Sequence, residues 1–342
     1  GKFYDTPPSG FLALCSANLP EPTISPNADN QAKNFFNATI YTGDGVDSRE
    51  ITQGSDGETI GHDPDIVWIK SRDLAGNDWI AHDSVRGGDQ QLFFSGGGTY
   101  ADSSTTTKLE AFITGGFRLG QSPHSSHNTS GSYLALTWAA GGAPTATNSA
   151  GAGNTPTSGS VKIDGVNLGS ALAGSIPATK LTANTTSGCS VVSYTGTGST
   201  GTVAHGLSST PDVVIIKNRT DARNWVFGNS HNGYLGQMYI GNTGAFSTNS
   251  GSFNNTAPSS TVVTVNTDQT TNESGDSMIM YCFSNVDGFC KTSGYIGNGS
   301  TDGPFIYTGF SPAFVLIKRT DGVNHWVVLD NTRSPSNVVN DI

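Results

Sequence analysis

Apolar positions along this chain come in short runs, four to six residues long, set between polar stretches rich in glycine, serine, threonine and asparagine. Ile66-Val67-Trp68-Ile69, Val213-Val214-Ile215-Ile216 and Phe314-Val315-Leu316-Ile317 are the clearest. Such runs, rich in β-branched and aromatic residues, predict strands covered on both faces. Each follows a proline at the strand start, where a missing N–H does no harm. Each ends in lysine and arginine, predicting exit into solvent, and a tryptophan eight or nine residues past the lysine begins the return strand of a hairpin.

The runs belong to an internal repeat, whose detection decides how the whole fold is read. Tyr41-Thr42-Gly43, Tyr194-Thr195-Gly196 and Tyr295-Ile296-Gly297 open the three units. In the last two units, tyrosine to lysine is 23 residues and lysine to tryptophan is 8; in the first the intervals are 29 and 9. A later segment recurs as well, Ser130 to Trp138 matching Ser274 to Phe283, and it predicts a strand that pairs with the tyrosine strand and closes a sandwich. The third unit stops before its copy. The reading is therefore all-β: tandem antiparallel β-sandwich domains of jelly-roll or lectin-like layout, joined by a Gly/Ser/Thr/Ala-rich linker. Residues 36–141 form the first sandwich, 142–188 the linker, 189–290 the second sandwich and 291–342 the start of a truncated third. A stretch of 142–188 composition is flexible, although Val161 to Gly165 alternates and could add a strand.

Composition fits this picture. Only 13% of the 342 residues are charged, about half the usual share, which excludes helical bundles and coiled coils. The 31 aromatic residues and a net charge of only −10 argue against charge-driven disorder. With 17 basic against 27 acidic residues there is no electrostatic footprint for nucleic acid. No apolar run approaches the roughly 18 residues of a membrane span, and no signal peptide is visible.

Candidate chemistry is sparse. Cys15, Cys189 and Cys282 are far apart; Cys282 and Cys290 could pair across a turn, but buried free thiols are the simpler reading. His124 and His127 lie in a turn-rich segment without a third ligand at metal-site spacing, which predicts a solvated loop. His82-Asp83-Ser84 holds the residue types of a hydrolytic triad in adjacent positions, where they cannot adopt its geometry. Asp83 with Arg86, and Asp330 with Arg333, read as structural ion pairs; Ser230 and Gly233 stand at the corresponding places of the second unit. The Asp-rich turn at 42–47 lacks the bidentate glutamate of a calcium loop. Trp79, Trp225 and Trp326 could be sugar-stacking platforms, but recurrence beside apolar residues makes them core anchors, together with Tyr41, Tyr194 and Tyr295. No catalytic residue, metal site or cofactor is expected.

Phe3 to Pro20 resembles the C-terminal tail of SPRY-like, concanavalin-like sandwich domains in bacteriophage structural proteins, which implies that residues 1–35 are the tail of a preceding SPRY-like domain. Pro64 to Gly141, with Asp83-Ser84-Val85-Arg86-Gly87, Gly116-Phe117-Arg118-Leu119-Gly120 and Tyr133 to Trp138, resembles the tandem domains that follow in such proteins, especially those of marine and cyanobacterial tailed phages. The second unit and the join at Gly294 to Phe305 are similar. The resemblance implies a non-enzymatic virion component at the particle surface, most plausibly a tail fibre or appendage for host attachment. It implies a homo-oligomer, often a trimer in fibres, other virion proteins and host-surface glycan as partners, with no nucleic acid and no membrane insertion. A capsid decoration protein, an extracellular bacterial adhesin or carbohydrate-binding module, and a depolymerase tailspike are the competing readings.

Overall fold

The computed structural model describes residues 21–74, 76–94, 103–104, 109–120 and 127–333. The fold is all-β, built of sheets whose strands, among the described residues, pair antiparallel in all but one case. In the first unit the strands are β1 (Phe36–Gly43), β2 (Arg49–Ile51), β3 (Ile66–Ser71), β4 (Ile80–Asp83), β5 (Gly87–Phe93), β6 (Ser103–Ser104), β7 (Leu109–Ile113), β8 (Gly116–Leu119) and β9 (Gly131–Trp138). The next are β10 (Val161–Ile163), β11 (Val166–Asn167) and β12 (Ala178–Asn184). The second unit has β13 (Cys189–Thr195), β14 (Gly201–Ala204), β15 (Val213–Asn218), β16 (Trp225–Asn229), β17 (Gly236–Ile240), β18 (Ser247–Thr248), α1 (Ser250–Phe253), β19 (Val262–Val265), α2 (Gln269–Asn272) and β20 (Ser277–Phe283). The third contributes the hairpin β21 (Phe314–Ile317) and β22 (Val327–Asp330).

The first two units follow one plan. The tyrosine strand pairs with the closing strand, which pairs in turn with the proline-led strand, and a hairpin extends the sheet: β1-β9-β3-β4-β5 in one, β13-β20-β15-β16-β17 in the other. A small sheet, β2-β8-β7 or β14-β19, covers one face of each. The period of two sorts side chains between the faces. Val67, Ile69, Tyr133 and Ala135 pack beneath the first small sheet. Val214, Ile216, Met278 and Met280 pack beneath the second.

The opposite faces meet each other. Ile66, Trp68, Leu134, Leu136 and Trp138 of the first unit share one core with Val213, Ile215, Trp225, Ile279 and Tyr281 of the second, and Phe314, Leu316, Trp326 and Val328 of the third pack against it. Beyond the core beneath its own small sheet, each of the first two units thus shares a second core with its neighbours. The units contact one another cyclically. Trp225 donates its indole N–H to the Phe93 carbonyl at 2.8 Å, and Trp326 donates to the Tyr239 carbonyl at 2.9 Å. Those acceptors are equivalent, since Phe93 pairs with Ile80 and Tyr239 with Val226, each the residue after its unit's tryptophan. The third unit returns to the first through Phe314, whose ring lies 5.8 Å from Phe36 and 5.9 Å from Trp138, and through Thr332 donating to the Ala38 carbonyl.

Residues 142–188 do not run as a free linker. β12 pairs with β13 from Ala178 to Asn184 and β10 lies parallel to β12, so the segment widens the second sheet to nine strands. Val161, Ile176, Ala178, Leu181 and Ala183 bury against the second core. The hydroxyls and amides that suggest a linker bind backbone instead: Thr182 bonds the carbonyls of Ala140 and Gly142, and Asn148 those of Ala178 and Ala150.

Glycine at the end of each tyrosine strand is required by crowding. A Cβ on Gly43 would sit 2.1 Å from the Thr129 carbonyl oxygen, and one on Gly196 would sit 2.1 Å from that of Glu273, because the turn before the closing strand crosses there. Gly196→Ala is therefore expected to destabilise the protein by roughly 1–3 kcal/mol through overpacking, read as a shifted denaturant midpoint with unchanged m-value.

Candidate functional site

A cluster of titratable side chains lies where the first two units meet. The turn after β4 is built by Asp83, whose Oδ1 accepts the Arg86 N–H at 2.9 Å while Oδ2 accepts Arg86 Nε at 2.6 Å. Both side chains are fully buried. Arg86 Nη2 donates to the Ala81 carbonyl, and Tyr281 of the second unit donates its hydroxyl to Asp83 Oδ2 at 2.6 Å. Burial, reinforced by the Asp83 charge, pushes the Tyr281 hydroxyl well above the usual range, so it stays a donor. The third unit repeats the turn: Asp330 accepts Arg333 N–H and Nε, and Arg333 Nη2 reaches the Val328 carbonyl. The strand registers correct the equivalence in the second unit. Asn229 and Asn232, rather than Ser230 and Gly233, hold these places, and the Asn229 side chain accepts the Asn232 N–H at 2.9 Å in the same turn without the ion pair.

Neighbouring groups belong to the same joint. His82 Nδ1 faces the carbonyls of Gly88 and Gln90, each 3.0 Å away, so it carries the proton, and Nε2 accepts from His127 Nε2 at 2.9 Å. Burial, with the Arg86 charge, lowers the His82 pKa to about 3. His127 is thus fully buried and not in a solvated loop; His124 lies outside the described residues. Asp65 accepts from the Ser84 hydroxyl and from the N–H groups of Ala140 and Gly142, and burial raises its pKa. His82, Asp83 and Ser84 therefore point to three different partners and form no relay. Chemically, this cluster ties strand ends together.

The sequence-derived anchors divide. Trp225 is fully buried, with Phe94 at 4.4 Å, and Trp79 and Trp326 are partly buried against the shared core. Tyr41 stacks on Tyr133 at 5.2 Å and donates to the His127 carbonyl at 2.7 Å; Tyr194 donates to the Thr271 carbonyl. Tyr295 is no core anchor: it is 51% exposed and lies in no strand, since no closing strand flanks it among the described residues. Beside it runs an apolar surface with Ile296, Phe305 and Tyr307 exposed, and a hollow of about 320 Å³ lined by Phe305 to Phe310 and Pro312. Cys189, Cys282 and Cys290 are free thiols, so 282 and 290 do not pair; burial pushes Cys282 up to about 12 and Cys290 to about 11.

The repeated lysine escaped the sequence reading. It does not mark an exit into solvent: Lys217 is fully buried and donates to the Asn218 and Asp221 carbonyls, Lys70 to that of Asn77, and Lys318 to those of Arg319 and Asn324. Each ammonium holds its hairpin loop, and the lysine-to-tryptophan interval of eight or nine residues was the available signal. Among the described residues no three His, Cys, Asp or Glu side chains are grouped to hold a metal ion, and no helix is long and apolar enough to cross a membrane.

A family model described as Domain of unknown function (DUF7483) matches residues 31–342. No curated protein and no solved structure matches the chain.

Proposed function

The chain belongs to the family described as Domain of unknown function (DUF7483), and we propose that it is a non-enzymatic structural component of a phage virion surface, a tail fibre or comparable appendage for host attachment. The observation that carries this reading is the shared core. Two repeats of one sandwich plan and the hairpin of a third bury apolar faces in one another, and a buried charge cluster joins the first two. A rigid rod or knob needs this kind of construction. The outer surface is correspondingly poor in charge and rich in hydroxyls and amides, suited to an exposed appendage whose partner is host-surface glycan. Further association of chains is part of the proposal, and native mass spectrometry of the intact protein should read a mass above 35.5 kDa.

Immunogold electron microscopy of virions from the source culture tests the assignment. Gold on the appendages of intact particles is the expected result; label on cell surfaces with bare virions would overturn it in favour of a cellular adhesin.

A further inference from the structure

Among the described residues, the third unit is open along an edge that the other two close. In the first, β9 lies between β1 and β3, pairing Tyr133 with Tyr41 and Trp138 with Ile66. In the second, β20 lies between β13 and β15, pairing Met278 with Tyr194 and Phe283 with Val213. In the third, β21 pairs with β22 alone among the described residues, and Phe314 to Ile317 are only half-buried. Gly297 supplies an independent sign. It occupies the place of Gly43 and Gly196, where a Cβ would collide with the chain entering the closing strand, yet among the described residues a Cβ on Gly297 would meet nothing within 4 Å. The described residues leave room there for such a crossing.

We propose that residues 10–17 of this same chain are the closing strand of the third unit. They lie outside the described residues, and the argument is sequence and reach. Phe11-Leu12-Ala13-Leu14-Cys15-Ser16-Ala17 aligns without gaps on Tyr133-Leu134-Ala135-Leu136-Thr137-Trp138-Ala139, with Leu, Ala, Leu and the last Ala identical, and on Met278-Ile279-Met280-Tyr281-Cys282-Phe283-Ser284, with the cysteine identical. Ser-Gly precedes all three strands, as Ser9-Gly10, Ser130-Gly131 and Ser274-Gly275.

Transferring the observed registers places Phe11 opposite Tyr295, Cys15 opposite Val315, and Ser16 between Cys290 and Phe314. Leu12 and Leu14 then face the shared core as Leu134 and Leu136 do, and Phe11 takes the place of Tyr133 in the stack on the unit's tyrosine. The chain can make the connection. Ile24 is fully buried with its carbonyl against Gly288, two residues from Cys290, and Phe35 rests on Phe289. The eight residues from Ser16 to Ile24 reach up to about 27 Å. In this arrangement residues 10–17 fasten the ring of repeats.

A thiol introduced by V315C in a C290S background tests the register, with L316C, on the opposite face, as control. Under mild oxidation the full-length V315C protein should form an intrachain link from Cys15 to position 315, identified by peptide mapping, and L316C should not. No link above the control, or a link between two chains, would overturn the proposal. Should V315C fail to fold, Gly297→Ala decides. It should lower the Tm by several degrees, as Gly196→Ala does, and lose that effect when residues 1–20 are deleted. An unchanged Tm in full-length G297A would mean that the edge is open.

Discussion

Arg86→Met should destabilise the protein by about 3–5 kcal/mol, the cost of leaving a buried charge without its partner. Methionine retains much of the volume of the arginine stem, so little of the loss is cavity. What disappears is the counter-charge of Asp83, whose side chain is fully buried, together with the Nη2 bond to the Ala81 carbonyl. Tyr281 still donates to Asp83, but one neutral hydroxyl does not balance a carboxylate in the interior. Adding Asp83→Asn removes the stranded charge, so the double variant should be more stable than Arg86→Met alone. Arg333→Met should cost less, because the Arg333 side chain is 11% exposed and water can reach that pair. Urea titrations of the four proteins check the order; a loss under about 1 kcal/mol for Arg86→Met would show that Asp83 is neutralised or hydrated another way.

The strands were legible because their signals are local. Proline, four apolar residues and lysine define β3, β15 and β21, and spacing alone located the hairpins and the closing strands. The shared core was not legible. A continuous apolar run tells that both faces of a strand are covered, but not that one cover is the next repeat, as Val67 against the first small sheet and Trp68 against the common core illustrate. Composition misled at 142–188, where the apolar contribution rests on a few residues such as Ile176 and Leu181 and the remaining order comes from hydroxyl and amide bonds to backbone. A hydropathy pattern does not register such bonds. It likewise missed the burial of Lys217 and His127, each satisfied by partners that only the fold brings near. At the candidate site the Asp83–Arg86 pair was visible from its spacing, whereas Tyr281, 198 residues from Asp83, was not.

Lowering the pH from 7 to 4.5 should weaken the fold by several kcal/mol, at about 1.4 kcal/mol per pH unit for each histidine held neutral in the folded state. Two are held strongly: burial lowers the His82 pKa to about 3 and the His205 pKa to about 4. Geometry explains the resistance. A second proton on His82 would set its Nε2–H against the N–H of His127 beside Arg86, and one on His205 Nδ1 would oppose the Leu207 N–H, which donates to it at 3.1 Å. The unfolded chain takes up these protons near pH 6.5, so the folded state binds fewer of them below that pH. The stabilisation is complete above pH 6.5 and is lost as the pH falls toward the folded values. Asp65 acts in the opposite direction, since its raised pKa makes the folded state bind a proton before the unfolded state does, and it offsets part of the loss at the acid end. Thermal melts between pH 7 and 4.5 should show a falling Tm. In H82Q/H205Q the Tm at pH 7 should be lower than in the parent but its slope flatter, because two of the groups whose protonation the fold opposes in this window are gone. A parent Tm that stays level to pH 4.5, or an undiminished slope in the double variant, would place the acid sensitivity elsewhere.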